Sequence, residues 1–155
     1  LLTDSEIAIM QNHTRIGHTI VSPSTDEVMT LAAAIALSHH ERWDGSGYPA
    51  GLAGEAIPME ARITAICDVY DALRSSRPYK PAMDHETAMK IIVEGDERTR
   101  PAHFDPMLLK VFRSRGHLLA AAYAKRPDAG VAPLTTRIAS FPQTAENRGL
   151  RRPLV

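Results

Sequence analysis

Two adjacent histidines, His39 and His40, are the residues of this chain best suited to chemistry. They end an apolar helical pattern and open a glycine-rich segment, which reads HHERWDGSGYPAGLAGEAIP over residues 39–58. Sites with nitrogen and oxygen ligands suit iron, manganese or zinc, and consecutive helical side chains point about 100° apart. The pair therefore predicts a ligand set for one metal or for two neighbouring metals. The alternative is a helix C-terminus whose histidines interact with the last carbonyls.

Asp68 and His13 are candidate ligands from the flanking helical segments. Asp68 lies among apolar residues in ARITAICDVYDALRSSRPYK, residues 61–80, where a buried carboxylate needs a partner or a metal. The alternative is that Asp68 pairs with Arg62 or faces solvent. His13 precedes His18 by five residues, a spacing that puts the two on different helix faces, so we expect at most one of them in a common site. A lone helical histidine is otherwise a surface or packing residue.

The glycine-rich loop over residues 44–58 is a candidate binding element. Its glycines permit close backbone approach, and Tyr48 with Pro49 adds a phenol and a fixed bend. Loops longer than about 12 residues in a compact domain are usually functional or disordered, which favours a ligand here over a plain surface loop. Beyond the next helical pattern, Arg77 and Lys80 suit a phosphate, because arginine can bind its oxygens in a bidentate manner. The alternative is a basic helix end that complements the helix dipole.

Composition limits the class of protein. The chain has 155 residues, 44% of them apolar and 23% charged, which is enough for one domain with a core. Its formal net charge of zero argues against a polymeric nucleic acid as partner. A single cysteine, Cys67, excludes an intrachain disulfide. The chain begins LLTDSE without a secretory signal, and no apolar run is long enough to span a bilayer, so we expect no membrane segment and a cytoplasmic location.

Helix signals recur along the chain with little strand signal between them, which predicts an all-α fold. The start signals are capping-box pairs at Thr3 with Glu6 and at Ser24 with Glu27, then Pro58, Asp84, and Asp105 with Pro106. The apolar positions expected to face the core are Ile7, Met10 and Ile16, then Val28, Leu31 and Ile35, then Ile63, Ile66, Val69, Tyr70 and Leu73. We expect the last helix to end near Gly116, a domain over residues 1–122, and a poorly ordered or loosely docked tail over 123–155.

Three motifs in order resemble the HD-GYP family of the HD phosphohydrolase superfamily. They are HHExxDGxGYPxGLxGxxIP at 39–58, RIxxxxDxYDALxxxRPYK at 62–80 and HFDP at 103–106. The family's opening helix is matched by Leu2, Thr3, Glu6, Met10, His13 and Gly17, and the resemblance covers residues 1–118. It implies part of an HD-type helical bundle, about five helices, with an irregular glycine-rich GYP loop. The implied activity is hydrolysis of the bacterial second messenger cyclic di-GMP to linear pGpG, to GMP, or to both.

The resemblance also assigns residues. The implied metal ligands are His13, His39, His40 and Asp68, and the implied substrate-binding residues are Arg77, Lys80, Gly47, Tyr48 and Pro49. Two or three divalent ions, iron or manganese, would polarise the phosphodiester and activate a water, so no side chain is assigned as the catalytic base. The GYP loop of the family is also implicated in contacts with diguanylate cyclase domains of the GGDEF type.

One family feature does not occur in the sequence. The His-Asp pair, its companion lysine and a further ligand would precede residue 1, and no His-Asp dipeptide occurs in the chain. We therefore expect this chain alone to be impaired in hydrolysis, and an upstream receiver or sensor domain is a possible source of the input signal. Two alternatives stay open: a non-catalytic module that binds cyclic di-GMP or a protein partner through the GYP loop, and an HD hydrolase of another phosphoester.

Overall fold

The computed structural model describes residues 3–76 and 81–125, which form helices and loops and contain no strand. The all-α prediction is thus confirmed. The helices are α1 (Asp4–Gln11), α2 (His13–Val21), α3 (Glu27–Ser38), α4 (Met59–Arg74), α5 (His85–Glu94) and α6 (Pro106–Ala124). Short 3₁₀ turns lie at Gly54–Ala56 and Pro101–His103. Within these ranges no helix combines the length and apolar character needed to cross a membrane.

The predicted helix starts are correct with one exception. Thr3 forms the expected capping box, accepting from the Glu6 N–H while its own N–H donates to the Glu6 carboxylate. The N-cap of α3 is Asp26, whose carboxylate accepts from the backbone N–H groups of residues 28 and 29. The prediction of Ser24 as cap was therefore wrong. Its hydroxyl instead accepts from the Asp26 N–H, one step before the helix.

The first helical pattern is divided at Asn12 into α1 and α2, which gives six α-helices in the described residues where about five were expected. Helix α2 packs against α3 through small side chains. A Cβ atom built at Gly17 would lie 3.4 Å from the Cβ of Ala36, and Thr14 is completely buried. This close packing brings the start of α2 beside the end of α3.

The apolar faces were predicted only in part. On α4, Ile66, Tyr70 and Leu73 are buried as expected. Several other predicted core positions are instead largely exposed, namely Met10, Ile16, Val28, Leu31 and Ile63. Helix α3 buries Ala33 and Ser38, because its neighbour approaches on the small-residue face and leaves the large aliphatic side chains outside.

Helix α6 continues past Gly116 to Ala124, so the predicted end near Gly116 was wrong. Gly116 is buried within the helix, and a Cβ atom there would collide with the Met89 side chain of α5. The glycine allows two helices to approach and does not terminate one. The compact unit that carries the candidate site lies within residues 1–120.

A buried ion pair joins α4 to the start of α6. The Arg62 guanidinium donates to Asp105 at 2.7 Å and lies over the Trp43 ring, 5.6 Å from its centroid. Burial would raise the pKa of Asp105, but hydrogen bonds from Arg62 and from the N–H groups of residues 107 and 108 outweigh it and lower the pKa. Arg62 is therefore engaged with the α6 cap, and it is not the partner of Asp68.

Candidate metal centre

Three histidines from two helices meet at one point. His13 is the first residue of α2, and His39 and His40 directly follow α3. One ring nitrogen from each lies within 4.8 Å of the others, and the Nε2 atoms of His13 and His39 are 3.4 Å apart. His13 thus lies beside the histidine pair. His18 is not part of the cluster.

Backbone hydrogen bonds fix which nitrogen of each ring is available. The Nδ1 atom of His13 lies 2.8 Å from the Met10 carbonyl, and that of His39 lies 2.9 Å from the Ile35 carbonyl. A carbonyl can only accept, so both Nδ1 atoms must carry the proton. In the neutral rings both Nε2 atoms are then acceptors, and they cannot hydrogen-bond each other. The pairing of Nδ1 with a carbonyl is also the usual support of a metal-bound histidine.

The spacing of these nitrogens fits a metal ion. Nitrogens that share one metal at about 2.1 Å each lie roughly 3.0–3.4 Å apart. A cation between the Nε2 atoms of His13 and His39 would satisfy both lone pairs. The Nδ1 of His39 makes the contact with the last carbonyls of α3 that was the alternative from sequence, and its Nε2 faces the cluster.

His40 is held in its neutral form. Burial, followed by the nearby rings of His39 and His13, lowers the pKa of His40 from 6.5 to about 4, and the charge of Asp68 only partly opposes this. Its ring lies with its centroid 5.0 Å from that of His13 and 4.1 Å from that of His39. At neutral pH the imidazole therefore keeps a lone pair for a cation.

Asp68 lies on α4 at the edge of the same site. It lines a cavity of about 110 Å³ together with His39 and His40, but it is not one of the clustered ligands. The residue is exposed, and its carboxylate has no hydrogen bond or ion pair within the described ranges. Asp68 is thus a free carboxylate at a cavity that His39 and His40 also line.

The glycine-rich loop is anchored by Glu41, a residue to which the sequence assigned no role. Its side chain is 3% exposed and accepts from the N–H groups of Ala50 at 2.7 Å and Leu52 at 3.0 Å. The position of Glu41 beside the histidines was visible in the motif. Its partners could not be found from sequence because they lie nine and eleven residues further along.

The residues of the GYP signature contact the histidine cluster through Tyr48. A Cβ atom at Gly47 would collide with the backbone of Glu41 and Arg42, so only glycine fits this crossing. The Tyr48 N–H donates to the His40 carbonyl at 3.2 Å, and the two rings stack with centroids 4.8 Å apart. Pro49 follows through a cis peptide bond, and its carbonyl accepts from Arg15.

Basic residues also line the cavity. They are Arg42 and Arg98, and His103 and Phe104 line the same cavity. His103 belongs to the HFDP motif, whereas the sequence assigned no role to Arg98. Burial and then the charge of Arg42 lower the pKa of His103. The predicted phosphate ligands Arg77 and Lys80 lie outside the described residues.

Comparison with known proteins identifies the class. Residues 1–108 match the family model described as HD domain. A cyclic di-GMP phosphodiesterase of Vibrio cholerae is 45% identical over 133 residues, covering 83% of this chain and 26% of its own length. The cyclic di-GMP phosphodiesterase response regulator RpfG of Xanthomonas campestris is 47% identical over 118 residues, covering 76% of this chain and 30% of its own length. The 3'3'-cGAMP-specific phosphodiesterase 2 of V. cholerae is 40% identical over 128 residues, covering 82% of this chain and 24% of its own length.

The chain belongs to the HD domain family. Within it, the motifs from His39 to Pro58 and from Arg62 to Lys80 identify the HD-GYP branch. The chain spans about 26% to 30% of the length of the first two relatives.

Proposed function

We propose that this chain hydrolyses cyclic di-GMP to pGpG, GMP or both, with divalent metals held by His13, His39, His40 and Asp68. The observation that carries the proposal is the pair of Nε2 acceptors of His13 and His39, 3.4 Å apart with both Nδ1 protons committed to carbonyls. Two or three ions of iron or manganese suit this nitrogen and oxygen donor set.

The residues of the chain divide the work at such a centre. When bound, the metals supply Lewis acidity toward a phosphodiester oxygen and toward water. His13 and His39 are kept in the ligating tautomer by their carbonyl bonds, and Asp68 offers an anionic oxygen. Tyr48 covers one face of His40 and limits the access of water to that ring. Arg77 and Lys80 are proposed to hold phosphate charge as it redistributes.

The relatives support the reaction class and leave two cyclic dinucleotides as candidate substrates. Two of the relatives above are named for cyclic di-GMP, whereas a third is named for 3'3'-cGAMP. We propose cyclic di-GMP as the substrate and 3'3'-cGAMP as the second candidate. Rates on the two dinucleotides under one set of conditions separate them.

The direct test is metal content and cyclic di-GMP turnover, measured for this chain and for a version extended toward the amino terminus. We expect turnover that requires Mn²⁺ or Fe²⁺ and is greater in the extended version, and we expect His40→Ala to abolish it while the helical circular dichroism is kept. If the extended version binds no metal and leaves the dinucleotide uncut, the proposal fails. Tight binding without cleavage in both versions would favour the non-catalytic module.

The location of the protein, its partner and the source of its input signal are also proposals. We propose a cytoplasmic location, a GGDEF-type diguanylate cyclase domain as a partner of the GYP loop, and a receiver or sensor domain as the source of input. The relative RpfG is named as a response regulator, which supports the last of these. Co-purification of the protein with a GGDEF domain, compared between wild type and a GYP-loop variant, tests the partner.

A further inference from the structure

Two arginines line the candidate cavity from segments that are far apart in sequence. Arg42 follows the histidine pair, and Arg98 lies in the turn between α5 and the 3₁₀ turn Pro101–His103. Both line the space that His39, His40 and Asp68 also line. A ligand in this cavity would therefore have two arginines among the residues around it, of which Arg98 is exposed.

Neither arginine forms an ion pair with a carboxylate among the described residues, although Asp68 lines the same cavity. Among the described residues, the Arg98 guanidinium has no ion pair or hydrogen bond, and that of Arg42 makes only a 3.4 Å contact with the Ser46 hydroxyl. Glu41 lines the cavity too, but its carboxylate accepts two backbone N–H groups. Guanidinium groups left open beside a cavity favour an anionic ligand with several acceptor oxygens.

The turn that carries Arg98 is ordered by local hydrogen bonds. The Asp96 carboxylate accepts from the N–H groups of Arg98 at 2.8 Å and Thr99 at 2.6 Å, and the Asp96 N–H donates to the Thr99 carbonyl. Gly95 begins the turn at φ +97°, a conformation that side chains rarely adopt. The backbone at Arg98 is thus fixed beside the cavity before any ligand binds.

We propose that Arg42 and Arg98 form a second phosphate subsite, which binds the phosphodiester of a cyclic dinucleotide that is not being cleaved. The inference rests on the proposed function, since a cyclic dinucleotide carries two phosphodiesters and only one of them can occupy the reacting position. The subsite would favour a substrate with two phosphates over one with a single phosphate. It adds two cations from the described residues to the two, Arg77 and Lys80, that the family resemblance assigns.

The test compares Arg98→Gln with the wild type and with Arg113→Gln, which removes an exposed arginine of α6 outside the cavity lining. The dissociation constant for cyclic di-GMP is measured in EDTA, without turnover. KM and kcat are measured with Mn²⁺ on cyclic di-GMP and on bis(p-nitrophenyl) phosphate, which has one phosphodiester. Arg98→Lys keeps the charge without the bidentate geometry.

We expect Arg98→Gln to raise the dissociation constant and KM for cyclic di-GMP about tenfold. The loss in kcat/KM should be at least fivefold larger for cyclic di-GMP than for bis(p-nitrophenyl) phosphate, as expected from losing a contact to the second phosphate. Arg98→Lys should recover part of the binding, and Arg113→Gln should match the wild type.

An unchanged dissociation constant in Arg98→Gln, or an equal loss on both substrates, would overturn the subsite. The binding measurement separates this outcome from failure of the proposed function. If the wild type binds cyclic di-GMP but neither it nor the extended version cleaves it, the hydrolase proposal fails, and the tenfold difference in binding still decides the subsite. If the wild type does not bind cyclic di-GMP in EDTA but cleaves it with Mn²⁺, the subsite is overturned and the hydrolase proposal stands.

Discussion

The Nε2 atoms of His13 and His39 lie 3.4 Å apart although 26 positions separate the residues in the chain. Helices α2 and α3 are held close at Gly17 and Ala36, and each ring is oriented by a carbonyl of its own or the preceding helix. The positions of the two nitrogens are therefore fixed by the protein itself. A metal that binds them has little side-chain freedom left to remove, which favours affinity.

Replacement of Glu41 by glutamine should destabilise the GYP loop. The amide offers one acceptor oxygen where the carboxylate offers two, so one N–H, of Ala50 or Leu52, loses its partner. We expect the free energy of unfolding to fall by about 1–3 kcal/mol and proteolysis within the loop to become faster. Urea unfolding and limited proteolysis measure this. Glu55→Gln, an exposed change on the same loop, is the control, and equal behaviour of the two variants would contradict the anchoring role.

A methyl group at Gly47 should displace the loop. In Gly47→Ala the new atom meets the backbone of Glu41 and Arg42, which cannot yield as a flexible side chain could. Overpacking of this kind costs about 1–3 kcal/mol, so the urea midpoint should fall. Gly17→Ala adds the same group at an ordinary contact distance inside a helix, and there we expect no loss and a gain of up to about 1 kcal/mol. A lower urea midpoint in both variants, or in neither, would show that the two glycines do not differ in the way proposed.

The metal-free protein should lose stability on acidification because of His40. The unfolded histidine takes up a proton near pH 6.5, whereas burial keeps the folded one neutral down to about pH 4. The unfolded state therefore binds more protons across this interval, and the stability present above pH 6.5 falls as the pH is lowered toward 4. In EDTA, the urea midpoint of His40→Gln should fall less on acidification than that of the wild type. The midpoint of His117→Gln, a change at an exposed histidine, should fall as much as that of the wild type. Parallel curves for all three proteins would be evidence against a half-buried, neutral His40.

Local signals predicted the helices well. The caps at Thr3, Asp84 and Asp105 are made by side chains that bond N–H groups two or three residues away, so a short window of sequence contains both partners. The error at Ser24 has the same origin, because Asp26 is an equally good cap two residues later. Glycine was misread at Gly116, where it serves contact with another helix and the helix continues through it.

The tertiary contacts of the site could not be predicted from the sequence. The family motifs indicated His13, His39, His40 and Asp68 as metal ligands. The spacing of these residues could not predict the hydrogen bonds to carbonyls that fix the tautomers of His13 and His39. Nor could it predict that Asp68 lies outside the histidine cluster. The exposure of Val28 and Leu31 depends on which face of α3 its neighbour covers. Arg98 belongs to no motif, and only the path of the chain after α5 brings it to the cavity.

The central claim is that His13, His39 and His40 hold a metal, and titration of the protein with Mn²⁺ by calorimetry tests it most directly. The wild type should bind Mn²⁺, and His39→Ala should weaken binding by at least tenfold because it removes a ligand whose orientation the fold has already fixed. His18→Ala, which removes a histidine of α2 outside the cluster, should bind as the wild type does. Equal Mn²⁺ affinity in His39→Ala and His18→Ala, or no binding by the wild type, would contradict the account.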